Sequence, residues 1–297
     1  MQDETGRTKA ARKNPLRKFL VNWQLAVGAP IFLLVVLMGI FANVIATHDP
    51  QSTNMPRRFE LPGAVYELPD GGYGRNLLGT DELGRDIWSR IVFGARVSMI
   101  VSMSATTIGA ILGVVIGLVT GYFGGKVDTV AMRCIDVMLA FPGMLLALFI
   151  VAVLGTSMFN VILAVAIFTV PAFSRIVRGS VLGVKKLEYI DAIRAIGAND
   201  VRIIFRHIFP NVLSPIIVQF TMNIGTAIIV TAALSFLGVG VQPPTPEWGT
   251  MLEGGRQDLW RAPHLTMIPG TIIFIVVLAI NLVGDGLRHA LEPKKTR

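Results

Sequence analysis

Charge is scarce in this sequence. Only 15% of its 297 residues are Asp, Glu, Lys or Arg, against 53% hydrophobic. A soluble domain carries charge at about a quarter of its positions, so the deficit points to a multi-spanning membrane protein. Cysteine is nearly absent as well. The lone Cys134 excludes an intrachain disulfide and a cysteine-based metal cage, and reads as an inert thiol near a membrane surface. Several motifs are missing outright. There is no H-E-x-x-H for a zinc protease, no G-x-S-x-G nucleophile elbow and no G-x-x-x-x-G-K-[ST] phosphate loop. The chain is therefore not expected to be an enzyme or to hold a cofactor or metal. Energy for any uphill movement must come from another polypeptide.

What is present are long runs without charge. Residues 19–47, 97–125, 137–174, 211–246 and 265–284 contain no Asp, Glu, Lys or Arg. A helix needs about 20 apolar residues to cross a bilayer, and the 137–174 run holds two, turning at Gly155-Thr156-Ser157. Six spans are expected, near 25–46, 98–120, 137–154, 158–176, 212–236 and 265–285. Ion-coupled carriers keep titratable groups at membrane depth, and the charge-free runs offer none. The first span has a basic start, but its apolar core exceeds the roughly 7–15 residues of a signal peptide. It reads as an uncleaved anchor.

Six spans put both termini on one side. Of the 27 basic residues, 19 fall on that side and 8 on the other, where 10 acidic residues also lie. Basic residues are retained in the cytoplasm, so the termini are expected there. This also accounts for the net charge of +8 without nucleic acid. The chain divides into a basic tail (1–19), a first helix (20–46), an outer segment (47–96), a five-helix membrane domain (97–286) and a short tail (287–297). A charged insert, 178–210, lies within the membrane domain on the cytoplasmic side.

The insert has its own helical pattern. Tyr189, Ala192, Ile193 and Ile196 fall at i, i+3, i+4 and i+7. Gly197 follows, where a helix commonly ends at positive φ, and Asn199 or Asp200 can cap a second helix. That helix sets Val201, Ile204, Phe205 and Ile208 on one face and Arg202 and Arg206 on another, with Pro210 ending the run. A helix–Gly–helix unit also suggests DNA binding, but tethers to a span at both ends would press DNA against the membrane. Two apolar stripes on a short insert call for a covering partner.

The insert resembles the "EAA" loop of permease subunits of ABC importers: Glu-Ala-Ala, three residues, Gly, nine residues, then Ile-x-Leu-Pro. Asp191-Ala192-Ile193 stands in the first place, Gly197 in the second and His207-Ile208-Phe209-Pro210 in the last. Asp keeps the charge of Glu, Ile193 is bulkier than Ala, and His207 is polar. The stretches Leu78–Asp86, Gln242–Leu252 and Gly284–Arg288 resemble the dipeptide, oligopeptide and glutathione branch, second permease type. The resemblance implies an all-α type I importer permease with six transmembrane helices in a bacterial inner membrane, forming half of a peptide path. It implies a second permease, two ATPase subunits that bind ATP and Mg, and a periplasmic substrate-binding protein. The ATPase-coupling residues it implies are Asp191, Ala192, Ile193, Arg194, Gly197, Arg202, Arg206, Phe209 and Pro210. The alternative is a channel or scaffold regulated by a soluble cytoplasmic partner.

Other residues carry weaker signals. Gln219, Met222 and Asn223 share one helix face and suit either a weakly polar pathway wall or helix packing. Asn160 and Asn281 offer hydrogen bonds to neighbouring helices. Gly109, Gly113, Gly117 and Gly121 recur every four residues, a stripe for close helix approach. Asp81, Glu82, Arg85 and Asp86 read as structural turn and cap residues. Trp248 and Trp260 suit either membrane-interface anchors or contacts for the binding protein.

Overall fold

The computed structural model describes residues 22–67 and 71–291. The tail 1–19 and the end of the chain, 292–297, lie outside the described residues. Helix α1 (Trp23–Ile40) is followed by a short α2 (Ala42–Ile45). The outer segment contributes a small antiparallel pair, β1 (Val65–Glu67) and β2 (Tyr73–Arg75), with Tyr66 opposite Gly74. Then come α3 (Ile87–Phe123), α4 (Gly125–Ala140), α5 (Gly143–Leu154), α6 (Met158–Lys185) and α7 (Glu188–Ala195). The chain closes with α8 (Asp200–Ile203), a π-turn (Ile204–Ile208), α9 (Phe209–Phe236), α10 (Trp248–Gly255) and α11 (His264–Leu291).

Five helical runs are long and apolar enough to cross a membrane: α1, α3, α6, the 200–236 run and α11. The third expected span, 137–154, is not one helix. It breaks at Phe141-Pro142, and α4 and α5 meet at a 90° bend; counted as one span, the pair makes a sixth. Pro142 is the cause. It has no N–H to give to the carbonyl four residues back, and its ring crowds that turn. Phe141 before it is extended, with φ −87° and ψ 137°, as a residue preceding proline prefers. Helix α5 keeps only 12 residues, about 18 Å of length, short of a hydrocarbon core of about 30 Å. The second span starts earlier than expected, at Ile87, because Asp86 caps it by accepting from the Ser89 N–H at 2.8 Å.

The glycine stripe is a packing surface. Gly109, Gly113, Gly117 and Gly121 of α3 lie against Thr169, Phe173, Val177 and Val181 of α6, residue for residue in the same four-residue register. A Cβ on Gly117 would sit 2.7 Å from the Val177 Cβ and 2.8 Å from the Ser174 carbonyl oxygen. The two backbones can meet this closely only because glycine brings no side chain. Elsewhere Asn160 closes the α5–α6 turn, its Nδ2 donating to the carbonyls of Leu154 and Gly155 at 2.8 and 2.9 Å.

At the end of the bundle opposite the insert, a buried charge network joins the outer segment to α3. Asp81 accepts from Arg85 Nε at 2.6 Å, with Arg90 Nε at 3.4 Å, and Arg90 donates to the Pro50 carbonyl at 3.1 Å. Glu82 accepts from Arg85 Nη2 at 2.8 Å. Burial, with Asp81 beside it, pushes the Glu82 carboxyl above the usual carboxylate range despite Arg85 and Arg90. Among the described residues these side chains bond one another and the Pro50 carbonyl. Trp248 is wholly buried, and its Nε1 donates to the Ile91 carbonyl at 3.1 Å. It is a core residue, neither an interface anchor nor a partner contact. Trp260, by contrast, is 96% exposed.

Candidate functional site

The insert is a folded unit. Helix α7 opens with Glu188 and Asp191 in its first turn and closes with Arg194 in its last, charges that complement the helix dipole. It ends in a Schellman motif: the Ala198 N–H reaches the Ile193 carbonyl at 3.3 Å and the Gly197 N–H reaches that of Arg194 at 3.0 Å. Gly197 has φ +86°, where a Cβ is strained. Of the two candidate caps, Asn199 serves: its Oδ1 accepts from the Arg202 N–H at 2.9 Å.

Pro210 does not end the second helix. The chain runs from α8 through the π-turn into α9 as one 37-residue run, with the Phe209 N–H reaching the Ile204 carbonyl. The wider i→i+5 turn makes room for the ring of Pro210, which sits in the first turn of α9, the one place where its missing N–H costs nothing. The second helix of the insert and the fifth span are therefore continuous.

The expected stripes divide between two sides. Ile190, Ile203, Ile204 and Ile208 are buried against Leu118, Tyr122, Val177, Val181 and Val212, with Ile193 and Phe209 half-buried beside them. Ile196 (84% exposed), Val201 (63%) and Phe205 (64%) face away from the bundle, with Tyr189 and Leu187 also exposed. Ala192, Arg202, Arg206 and Pro210 are exposed too. Asp191 and Arg194 form an exposed pair at 3.2 Å. The inward isoleucines fix the insert to the bundle and leave an apolar patch, flanked by charge, open on the far side.

Tyr122, at the end of α3, is the polar anchor. Its hydroxyl donates to Asp200, and its carbonyl accepts from Lys185 of α6. The Arg194 guanidinium lies 6.0 Å from its ring. The hydrogen bond with Tyr122 and that residue's charge raise Arg194 above its ordinary pKa. Below this, Asp128 of α4 receives Arg178 through both carboxylate oxygens, and Asp136 receives Arg175 at 2.6 Å. Asn211, in the first turn of α9, gives its Nδ2 to the His207 carbonyl at 2.6 Å and to Tyr189 Oη at 3.1 Å. Sequence reasoning missed Tyr122 and Asn211. The placing of Tyr122 just before the Gly124-Gly125 turn, and of Asn211 just after Pro210, were the available signals.

Gln219 and Met222 are half-buried and Asn223 is buried, with no partner for Asn223 Nδ2 among the described residues. Met222 Cγ lies where it would contact a Cβ on Gly284 at 3.0 Å, so Met222 is engaged with α11. Cys134 is exposed, and Asn281 is also exposed.

A helical membrane bundle with a structured, partner-ready insert between two spans is the form of an importer permease. The same fold is found in the inward-facing MetNI methionine ABC transporter (TM-score 0.56, 18% identity, covering 69% of this chain and 98% of that one). It also occurs in an amino acid ABC transporter (TM-score 0.51, 18% identity, 65% and 90%). Residues 113–297 match the model of the binding-protein-dependent transport system inner membrane component. The glutathione transport system permease protein GsiD of Pectobacterium atrosepticum is 45% identical over 292 residues, 97% of this chain and 94% of that protein. Its counterpart in Escherichia coli O1:K1 is 48% identical over 278 residues, 94% and 89%. The chain belongs to the family of binding-protein-dependent transport system inner membrane components. It is a multi-pass permease component of an ABC importer, not an enzyme, and the channel or scaffold alternative falls.

Proposed function

We propose that this chain forms half of the path through which glutathione or a short peptide crosses the inner membrane, a second, similar permease forming the other half. The substrate class rests on the likeness to the glutathione permeases. Two ATPase subunits dock on the insert, bind ATP and Mg, and drive the path between its outward- and inward-open forms. A periplasmic binding protein delivers the substrate to the 47–96 and 237–264 face. The α4–α5 pair crosses as one bent span, so both termini and the insert lie in the cytoplasm, in keeping with the 19-to-8 division of basic residues and the positive-inside rule.

The observation that carries this reading is the open patch of Ile196, Val201 and Phe205 on an insert continuous with a span. An apolar patch outside the membrane, held in shape by buried isoleucines, is a protein interface. The coupling role extends to Asp191, Ala192, Ile193, Arg194, Gly197, Arg202, Arg206, Phe209 and Pro210, the first four on the docking helix and the rest at its turn and exit. Phe205→Asp places a charge in the middle of the patch. In the co-expressed complex the ATPases are expected to be lost from this variant on purification while the permease stays in the membrane. Full retention of the ATPases and of uptake would remove the patch from the coupling site.

A further inference from the structure

We propose that Asn211 is a positioning residue for transport: by bridging Tyr189 to the π-turn, it makes the docking helix α7 and the span α9 move as one body. This rests on the docking role proposed above for the insert.

The geometry is specific. Tyr189 stands on α7 at the edge of the exposed patch, 40% exposed, so a docked partner touches the helix that carries it. Gly197, at φ +86°, separates α7 from α8, and α7 is only eight residues long. A short helix that ends at a glycine turn swings easily unless it is tied. Its apolar tie is Ile190, which is buried, with Ile193 half-buried. Its polar tie to the following span is Asn211, whose amide nitrogen carries two hydrogens. One goes to the Tyr189 hydroxyl at 3.1 Å and the other to the His207 carbonyl at 2.6 Å. His207 lies inside the π-turn, where the backbone ladder widens to i→i+5. The same nitrogen therefore holds the docking helix and braces the π-turn between it and the membrane. Pull on α7 is passed to α9 directly, rather than spent in opening the π-turn.

The test uses the complete importer in proteoliposomes, with glutathione as the probe, and reads ATP hydrolysed per molecule transported. Tyr189→Phe removes only a hydroxyl from an exposed ring, and Asn211→Ala removes the amide. Each is expected to raise the ratio about fivefold, the factor that the net worth of one hydrogen bond converts to. The double variant is expected to be no worse than Asn211→Ala, because both remove one bridge. Asn211→Gln, which keeps the amide, is expected to recover part of the loss. The ATPases co-purify with all four variants. An unchanged ratio, or effects that multiply in the double variant, overturns the bridge. Loss of the ATPases from Tyr189→Phe also overturns it, by making Tyr189 a docking contact alone. The Phe205→Asp result tests docking separately, so failure of that reading and failure of the bridge are told apart.

Discussion

The α3–α6 contact is where the structure makes its sharpest demand. Replacing Gly113 with Ala adds one Cβ, which would lie 2.5 Å from the Phe173 Cβ and 2.8 Å from the Val170 carbonyl oxygen. Ordinary contact begins near 3.4 Å, so the helices must part by about 1 Å at this point. Neither neighbour is the tip of a flexible chain. One is backbone and the other is fixed to it, so rotamer change gives no relief. Overpacking of this kind costs about 1–3 kcal/mol, and parting the helices also loosens the Gly109, Gly117 and Gly121 contacts. Gly183, farther along α6, is the control: a Cβ there meets nothing within 4 Å. Gly183→Ala should gain up to about 1 kcal/mol from helix propensity alone. Thermal unfolding in mild detergent is expected to lower Tm for Gly113→Ala and to hold or raise it for Gly183→Ala. Phe173→Gly in the Gly113→Ala background should recover part of the deficit in helix spacing, measured by cross-linking, because the Cβ in the way is gone. Equal Tm values for Gly113→Ala and wild type would refute the close-approach argument.

Three further outcomes are expected. Gly197→Val should cost about 1–2 kcal/mol of local strain at φ +86°, leaving the protein inserted but transport abolished; normal uptake by this variant would show that the Schellman turn is dispensable. In a Cys134→Ser background, Phe205→Cys should resist an impermeant thiol reagent in intact cells and Tyr73→Cys should react, and the reverse pattern would invert the proposed topology. Uptake by the reconstituted importer should survive a protonophore while ATP is maintained; collapse under the protonophore with ATP intact would mean that an ion gradient drives the path.

Much of the insert was legible from local rules. Gly197 was placed at a left-handed turn, and Asn199 was one of two candidate caps, because such signals act within four or five residues and need no partner elsewhere. The glycine stripe was legible for a related reason: spacing by four fixes a helix face whatever packs on it. Pro142 and Pro210 show the limit. Both lack an N–H, yet Pro142 breaks a span by 90° and Pro210 leaves one continuous, because a π-turn forms ahead of the second and not the first. Whether the freed backbone is worth rearranging is decided by what surrounds it.

The sequence by itself determined the class of this protein. Charge-free apolar runs of about 20 residues or more are the mark of bilayer-spanning helices, and the spaced Gly and Pro of the insert, with the outer motifs, mark the importer family. Tertiary structure decided the facing of the insert. The stripe Val201, Ile204, Phe205 and Ile208 is one face by periodicity, but Ile204 and Ile208 turn inward and Val201 and Phe205 outward. The π-turn shifts the angular register at that point, and the bundle has room for only one side. It also decided that Trp248 is core, that Tyr122 anchors Asp200, and that Asn211 meets Tyr189 across 22 residues. Such contacts join segments with no local signal in common, so they exist only once the spans have packed.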